Sequence, residues 1–175
     1  MNHAFVSLGS NIDSEYNMPE ALRRLALHCR LVAVSPVYET TPVGNTQQPN
    51  FLNAAALIET DLTAAELKAR VLQVIEQELG RVRTEDKNAP RTIDLDITLY
   101  ADQDLDAGSF AFNDPDILRY AHVAVPLADI APQSRHAATG QTLQEIAQCL
   151  PTSELLSRPD VVLWPEKINK PTKER

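Results

Sequence analysis

The run "PRTIDLDITLY", residues 90–100, has the apolar spacing of a buried strand and carries two aspartates inside it. Strands disfavour aspartate, so the pair needs a reason. Residues i and i+2 of a strand face one side, which puts Asp94 and Asp96 together and Leu95 opposite. Their Cα atoms should lie roughly 6.5–7 Å apart. Carboxylates at that reach can bracket hard cations, and magnesium typically takes one or two of them and fills its shell with water and substrate phosphates. The plainer alternative is a solvated strand face.

The neighbouring residues favour chemistry. "GRVR" places Arg81 and Arg83 shortly before this run, and Arg91 stands three residues before Asp94. Guanidinium forks match phosphate oxygens bidentately and stabilise charge on a transferring phosphoryl group. Surface ion pairs would have the same composition and would contribute little. The five glycines are scattered and no G-x-x-x-x-G-K occurs, so a nucleotide would be held by arginines and metal rather than by a glycine cradle. A second candidate surface is "FLN" at 51–53. Asn53 offers a donor and an acceptor to a planar polar heterocycle, and Phe51 could stack on it, although Phe51 alone reads as core.

These residues need elements to hold them. "HAFVSLGSN" reads as a first strand ending at Gly9, and Asn17 leads into a helix over "MPEALRRLALHC". "LVAVSPVYET" and "NFLNAAALIETDL" read as strands around the loop "TPVGNTQQP". Thr63 and Glu66 form a capping box for a second helix with an apolar stripe at Leu67, Val71, Val74 or Ile75, and Leu79. Gly80 is its stop. The Asp94/Asp96 strand then completes β-α-β-β-α-β. That order predicts an α+β, ferredoxin-like sandwich, an antiparallel sheet with both helices on one face. C-terminal elaborations follow: a short helix at 116–121, a Pro-bounded turn at "PLADIAP", and a helix capped by Thr142 and Glu145 reaching Leu150.

At 175 residues one domain over 1–165 is expected, with 166–175 a polar tail. The net charge of −8 argues against broad nucleic-acid binding. An RNA-binding module of the same topology would need exposed aromatics and a basic face, against 5% aromatics here. Cys29 and Cys149 match no metal or redox spacing and read as reduced core thiols. No apolar run is long enough for a membrane span, and the amino terminus enters a strand without a leader pattern, so a cytoplasmic monomer is expected.

Several segments, in order, resemble the 6-hydroxymethyl-7,8-dihydropterin pyrophosphokinases of folate biosynthesis: "SLGSN" at 7–11, "YETTPVG" at 38–44, "FLNAA" at 51–55, "GRVR" at 80–83, "PRTIDLDI" at 90–97 and "VPLADIAP" at 125–132. The resemblance implies pyrophosphoryl transfer from ATP to the pterin hydroxymethyl group, with two magnesium ions and release of AMP. It implies Asp94 and Asp96 as metal ligands, with Asp94 also facing the substrate and Asp96 placed to accept a proton. Arg81 and Arg91 would grip the triphosphate. Arg83 would belong to a mobile loop at 82–89, and Gln73, Glu76 and Ile97 would line the ATP side. Thr40, Val43, Phe51 and Asn53 would form the pterin pocket.

The chain departs from the family pattern in two places. Asn88-Ala89 stands where Trp-Gly is usual. In "NDPDILRYAHVAV", Asp114 replaces a phosphate-facing histidine, Tyr120 an arginine, and His122 a pterin-stacking phenylalanine. A divergent paralogue that binds without efficient turnover is the alternative these changes raise.

Overall fold

The computed structural model describes residues 1–42, 44, 47–86, 88–101, 110 and 112–164. Strand β1 (Asn2–Ser10) is central, antiparallel to β4 (Phe51–Thr60) on one side and to β5 (Asp94–Ala101) on the other. Strands β2 (Arg30–Val34) and β3 (Tyr38–Thr40) both pair with β4. The single strand expected over 31–40 is thus broken at Ser35-Pro36, because proline has no N–H for the ladder. Ser35 repairs the gap: its Oγ accepts from the Ala55 N–H at 2.9 Å, and its own N–H donates to the Ala55 carbonyl. Counted as one bent strand, β2 and β3 give the expected βαββαβ order. Short strands β6 (Phe112–Asn113) and β7 (Leu156–Ser157) extend the two edges.

Helix α1 (Ser14–His28) begins a turn earlier than Asn17, which lies inside it with its side-chain amide donating to the Ile12 carbonyl at 2.7 Å. The second helix runs as α2 (Ala64–Leu67), a π turn (Lys68–Leu72) and α3 (Gln73–Glu78), opened by the predicted Thr63/Glu66 box. Its buried positions Leu67, Val71, Ile75 and Leu79 recur every four residues. A pure α-helix would rotate that row by about 40° per repeat. The wider π turn takes up the drift and keeps the row on the sheet.

Both helices pack on one face, around Val6, Leu8, Leu22, Leu25, Leu72, Ile75 and Leu95. The opposite face is covered as well, by α4 (Ala121–Ile130) and α5 (Leu143–Cys149), whose Ala124, Leu127, Leu143 and Ile146 meet Phe5, Leu57 and Leu99. The elaborations are therefore a second layer. Strand β4 is buried along both faces for this reason, which explains its unalternating "NAAALI".

Three further expectations are corrected. "PLADIAP" is no turn, since α4 runs through Pro126 to Ile130, held by the burial of Ala124 and Leu127. The short helix expected at 116–121 is a 3-10 turn at Pro115–Leu118. Cys149 is exposed, whereas Cys29 is buried as expected. Residues 166–175 lie outside the described residues.

Candidate active site

The end of α3 sets the first half of the site. Leu79 ends the helix, and Gly80 adopts φ of 75°, a left-handed conformation open to glycine at no steric cost. The Gly80 N–H donates to the Gln77 carbonyl and the Arg81 N–H to the Glu76 carbonyl. This double closure is a Schellman motif, and it starts Arg81 in a fixed direction, back along the helix. The Arg81 guanidinium then bonds both the Glu76 carboxylate below it and Asp94 on β5.

Glu76 is only 2% exposed. Its carboxylate accepts from Arg81, from Arg83 at 2.8 Å and from the Leu95 backbone N–H at 2.9 Å. It therefore tethers α3 to the strand that carries both aspartates. Gln73 and Glu76, both expected on the ATP side, border one cavity with Gln77, Arg81 and Arg83, and the Glu76 oxygens are committed to the bonds just described.

Arg91 donates to the second Asp94 oxygen at 2.5 Å and lies over the Phe51 ring, 5.7 Å from its centroid. Its backbone is fixed by Asn11, whose side-chain oxygen accepts from the Arg91 N–H at 2.8 Å. That contact gives "SLGSN" a function that its sequence alone did not reveal. Burial raises the Asp94 pKa, but Arg81 and then Arg91 outweigh it and hold the carboxyl below the usual aspartate range. Asp96 is more open, its side chain 47% exposed, with Lys68 of the π turn at 3.3 Å. Lys68 was missed by sequence reasoning, since on the expected α-helix it reads as an ordinary solvated lysine.

Strand β5 does not keep its alternation. A bulge opposite Phe5 and Val6 inserts Thr98, so Leu95 and Ile97 enter one core and Leu99 the other. Ile97 is buried in the core beside Leu95 and lines neither of the cavities that meet at Asp94. It packs behind the strand with Leu95.

The second half lies beside Asp94. A cavity of about 180 Å³ is lined by Gly9, Thr40, Gln48, Phe51, Asn88, Arg91, Asp94 and His122. Asn53 sits under it, 7% exposed, and its amide donates to Thr40 Oγ at 2.9 Å. A Cβ at Gly9 would lie in ordinary contact with Asn53 Oδ1 at 3.7 Å and Asp94 Cβ at 3.9 Å, which places Gly9 at the junction of these two residues. His122 stacks on Tyr120 with ring centroids 5.3 Å apart. Burial lowers the His122 pKa, and Asp116 opposes this only in part, so the ring is neutral near pH 7. Val43 lies outside the described residues.

A larger cavity of about 390 Å³ lies on the other side of Asp94, lined by Arg81, Arg83, Thr84, Ala89, Arg91, Asp94 and Asp96. Arg91 and Asp94 thus form the wall between a heterocycle-sized hole and an arginine-rich one. Asp114 does not intrude. Its carboxylate caps the 3-10 turn by accepting from the Asp116 N–H at 2.9 Å. The largest described cavity, about 680 Å³, lies away from this chemistry between α1 and Arg158, whose guanidinium is saturated by Glu15, Glu39 and Asp160.

The donor set suits magnesium. Among the described residues no group of three or more His, Cys, Asp or Glu could hold a metal ion, and the carboxylates that line the arginine-rich cavity with Arg81, Arg83 and Arg91 are Asp86, Asp94 and Asp96. One or two carboxylates are what magnesium takes when phosphates complete its shell.

An antiparallel α+β sandwich with paired carboxylates ringed by arginines, between two cavities, is the framework of a phosphoryl-group transferase. The chain belongs to the 7,8-dihydro-6-hydroxymethylpterin-pyrophosphokinase family, whose model matches residues 5–132. It is 38% identical over 155 residues to the 2-amino-4-hydroxy-6-hydroxymethyldihydropteridine pyrophosphokinase of Pseudomonas aeruginosa, covering 86% of this chain and 93% of that protein. To the Bacillus subtilis protein of the same name it is 39% identical over 148 residues, covering 82% and 87%. The Plasmodium falciparum HPPK-DHPS triple mutant with pteroate shares the fold, with a TM-score of 0.63 at 13% identity, over 84% of this chain and 43% of that one. The chain thus spans under half the length of that solved structure.

Proposed function

We propose that the chain transfers the pyrophosphoryl group of ATP to the hydroxymethyl group of 6-hydroxymethyl-7,8-dihydropterin, releasing AMP, a step in folate biosynthesis. The observation that carries the reading is the shared wall: Arg91 and Asp94 border both the heterocycle-sized cavity and the arginine-rich cavity. The pterin lies in the smaller cavity against Phe51, with Asn53 and Thr40 matching its polar edge. The triphosphate lies in the larger one against Arg81, Arg83 and Arg91. The pterin hydroxyl attacks the β-phosphorus, the bond from that phosphorus to the α–β bridging oxygen breaks, and AMP departs with that oxygen. Asp96 or a water beside it takes the hydroxyl proton.

Asp94 and Asp96 would hold the two magnesium ions, which would neutralise charge on the phosphate oxygens. The remaining contribution is positioning and preorganised charge, as is general for phosphoryl transfer. The chain acts as a cytoplasmic monomer with a single catalytic domain over 1–165, and takes no nucleic acid. Efficient turnover is favoured over mere binding because the substituted Asp114 is turned into its own 3-10 turn.

Incubation with ATP, magnesium and the hydroxymethyl pterin, followed by chromatography of nucleotides, tests this. AMP formed in step with pterin consumption is expected. ADP would mean monophosphoryl transfer, and unchanged ATP would leave only a binding protein.

A further inference from the structure

The cations of the site are unequally committed. Arg81 bridges Glu76 and Asp94, Arg83 is bonded to buried Glu76, and Arg91 is held by Asp94 and stacked on Phe51. Lys68 differs from all three in the length of its ion pair rather than in exposure, since the Arg83 side chain is 63% exposed. Its Nζ stands 3.3 Å from Asp96 Oδ1, and its side chain is 52% exposed. An ammonium at that distance and exposure makes a weak, exchangeable contact.

Its position is set by the fold rather than by chance. Lys68 is the first residue of the π turn, between buried Leu67 and Val71. The turn keeps the helix row against the sheet and projects Lys68 over the exposed side of β5. π turns inside α-helices recur at functional sites. The lysine faces a concentration of negative charge. Asp114 shares the field of Asp96, Asp116 and Lys68. Burial raises its pKa, the hydrogen bond from the Asp116 N–H opposes this, the charges of Asp116 and Asp96 add to the rise, and Lys68 lowers it. Arg119, the other nearby cation, is turned to Asp116 at 3.7 Å and is largely exposed.

We infer that Lys68 is a phosphate-gripping residue of this chain, holding Asp96 in the free protein and a phosphate oxygen of the bound nucleotide once Asp96 is engaged. The inference rests on the pyrophosphokinase reading. Asp114, though turned into its own 3-10 turn, is near enough to Asp96 for the two carboxylates to interact, so the Asp96 end of the arginine-rich cavity lies in a negative field that Lys68 offsets. A lysine suits this role because its ammonium is a compact point charge on a flexible stem, able to move between two oxygens.

The test is calorimetric titration of a non-hydrolysable ATP analogue with magnesium into wild type, Lys68→Met, Lys68→Arg and Lys68→Met/Asp114→Asn. The Met variant should bind roughly tenfold more weakly, with a smaller dependence of affinity on salt. Arginine should restore most of the affinity, and removing the Asp114 carboxylate should recover part of the loss. Unchanged or tighter binding by Lys68→Met would overturn the assignment, leaving Lys68 as a shield on Asp96. No binding by wild type would sink the pyrophosphokinase reading along with it, so the two failures are distinguishable. Thermal melts of all four proteins should coincide, because the side chain is half exposed.

Discussion

The arginine-rich half and the smaller-cavity half of the site, proposed to take the phosphates and the pterin, are built by different means. The phosphate half stands on a helix end and a strand, joined by buried charge: Glu76 ties α3 to Leu95, and Arg81 runs from that carboxylate to Asp94. The pterin half is walled by element residues (Gly9, Thr40, Phe51, Asp94 and His122) and by the loop residues Thr41, Gln48, Asn88 and Arg91, and its loops are joined by neutral hydrogen bonds. Asn11 donates to Gln48 at 2.9 Å, and Gln48 donates to the Asn88 carbonyl at 2.9 Å, joining the loop before β4 to the loop before β5. Charge networks on rigid elements tolerate little change. Loop walls of neutral polar groups can accept a new side chain at modest cost. Asn88, on the loop before β5, and His122, in the first turn of α4, both line this cavity.

The comparison predicts unequal sensitivity. Asp96→Ala should lower kcat by roughly 10²–10³-fold, read as the rate of AMP formation, because the charge it places at the transferring group is lost. Retention of more than a tenth of the rate would place Asp96 on a solvated surface.

Glu76→Ala should be costly to the fold. It strands the Leu95 N–H and leaves Arg81 to Asp94 alone, and removing one partner of a buried pair costs about 3–5 kcal/mol, seen as a lower denaturation midpoint. Glu76→Gln, which keeps an acceptor for Leu95, should fall between that variant and wild type.

Asp94 gives a pH signature. Its pKa in the fold lies below that of the unfolded chain, so its contribution to stability is complete above about pH 4 and is lost as pH falls through the depressed value. Melting temperature should drop on acidification, and Asp94→Asn should flatten that limb.

His122→Phe is the smaller change. The neutral ring should support pterin binding at pH 7, and kcat/KM for the pterin should fall as acid protonates it, below about pH 6.5, because burial disfavours the charged form. Phenylalanine should remove that limb and change the pterin KM by less than about tenfold. Asn88→Ala should have the least effect of the series. A few-fold rise in pterin KM with unchanged kcat is expected, since the Asn88 contact to Gln48 runs through its backbone carbonyl.

Legibility in the sequence followed the same divide. The Thr63/Glu66 box, the Gly80 stop and the Asp94/Asp96 strand could be read because capping, positive φ and strand period are local rules. Through Gly80 those rules even fixed where Arg81 begins. The π turn could not be read, because it answers the sheet beneath rather than its own residues, and Lys68 went with it. The second core was hidden for a similar reason. A bulge at Thr98 sends Leu99 to the far face, and whether a strand residue faces α1 or α4 depends on pairing with Phe5, ninety-odd residues distant. Pro126 misled because proline usually ends a helix, yet α4 continues where packing outweighs one lost hydrogen bond.

The measurement that bears most directly on the account is calorimetric titration of a non-hydrolysable ATP analogue against wild type and the Asp94→Ala/Asp96→Ala double variant, with and without magnesium. Binding that needs magnesium and disappears in the double variant is predicted. Equal binding by both proteins, or binding indifferent to magnesium, would mean that the two aspartates are a solvated strand face and that the site described here is not where the nucleotide lies.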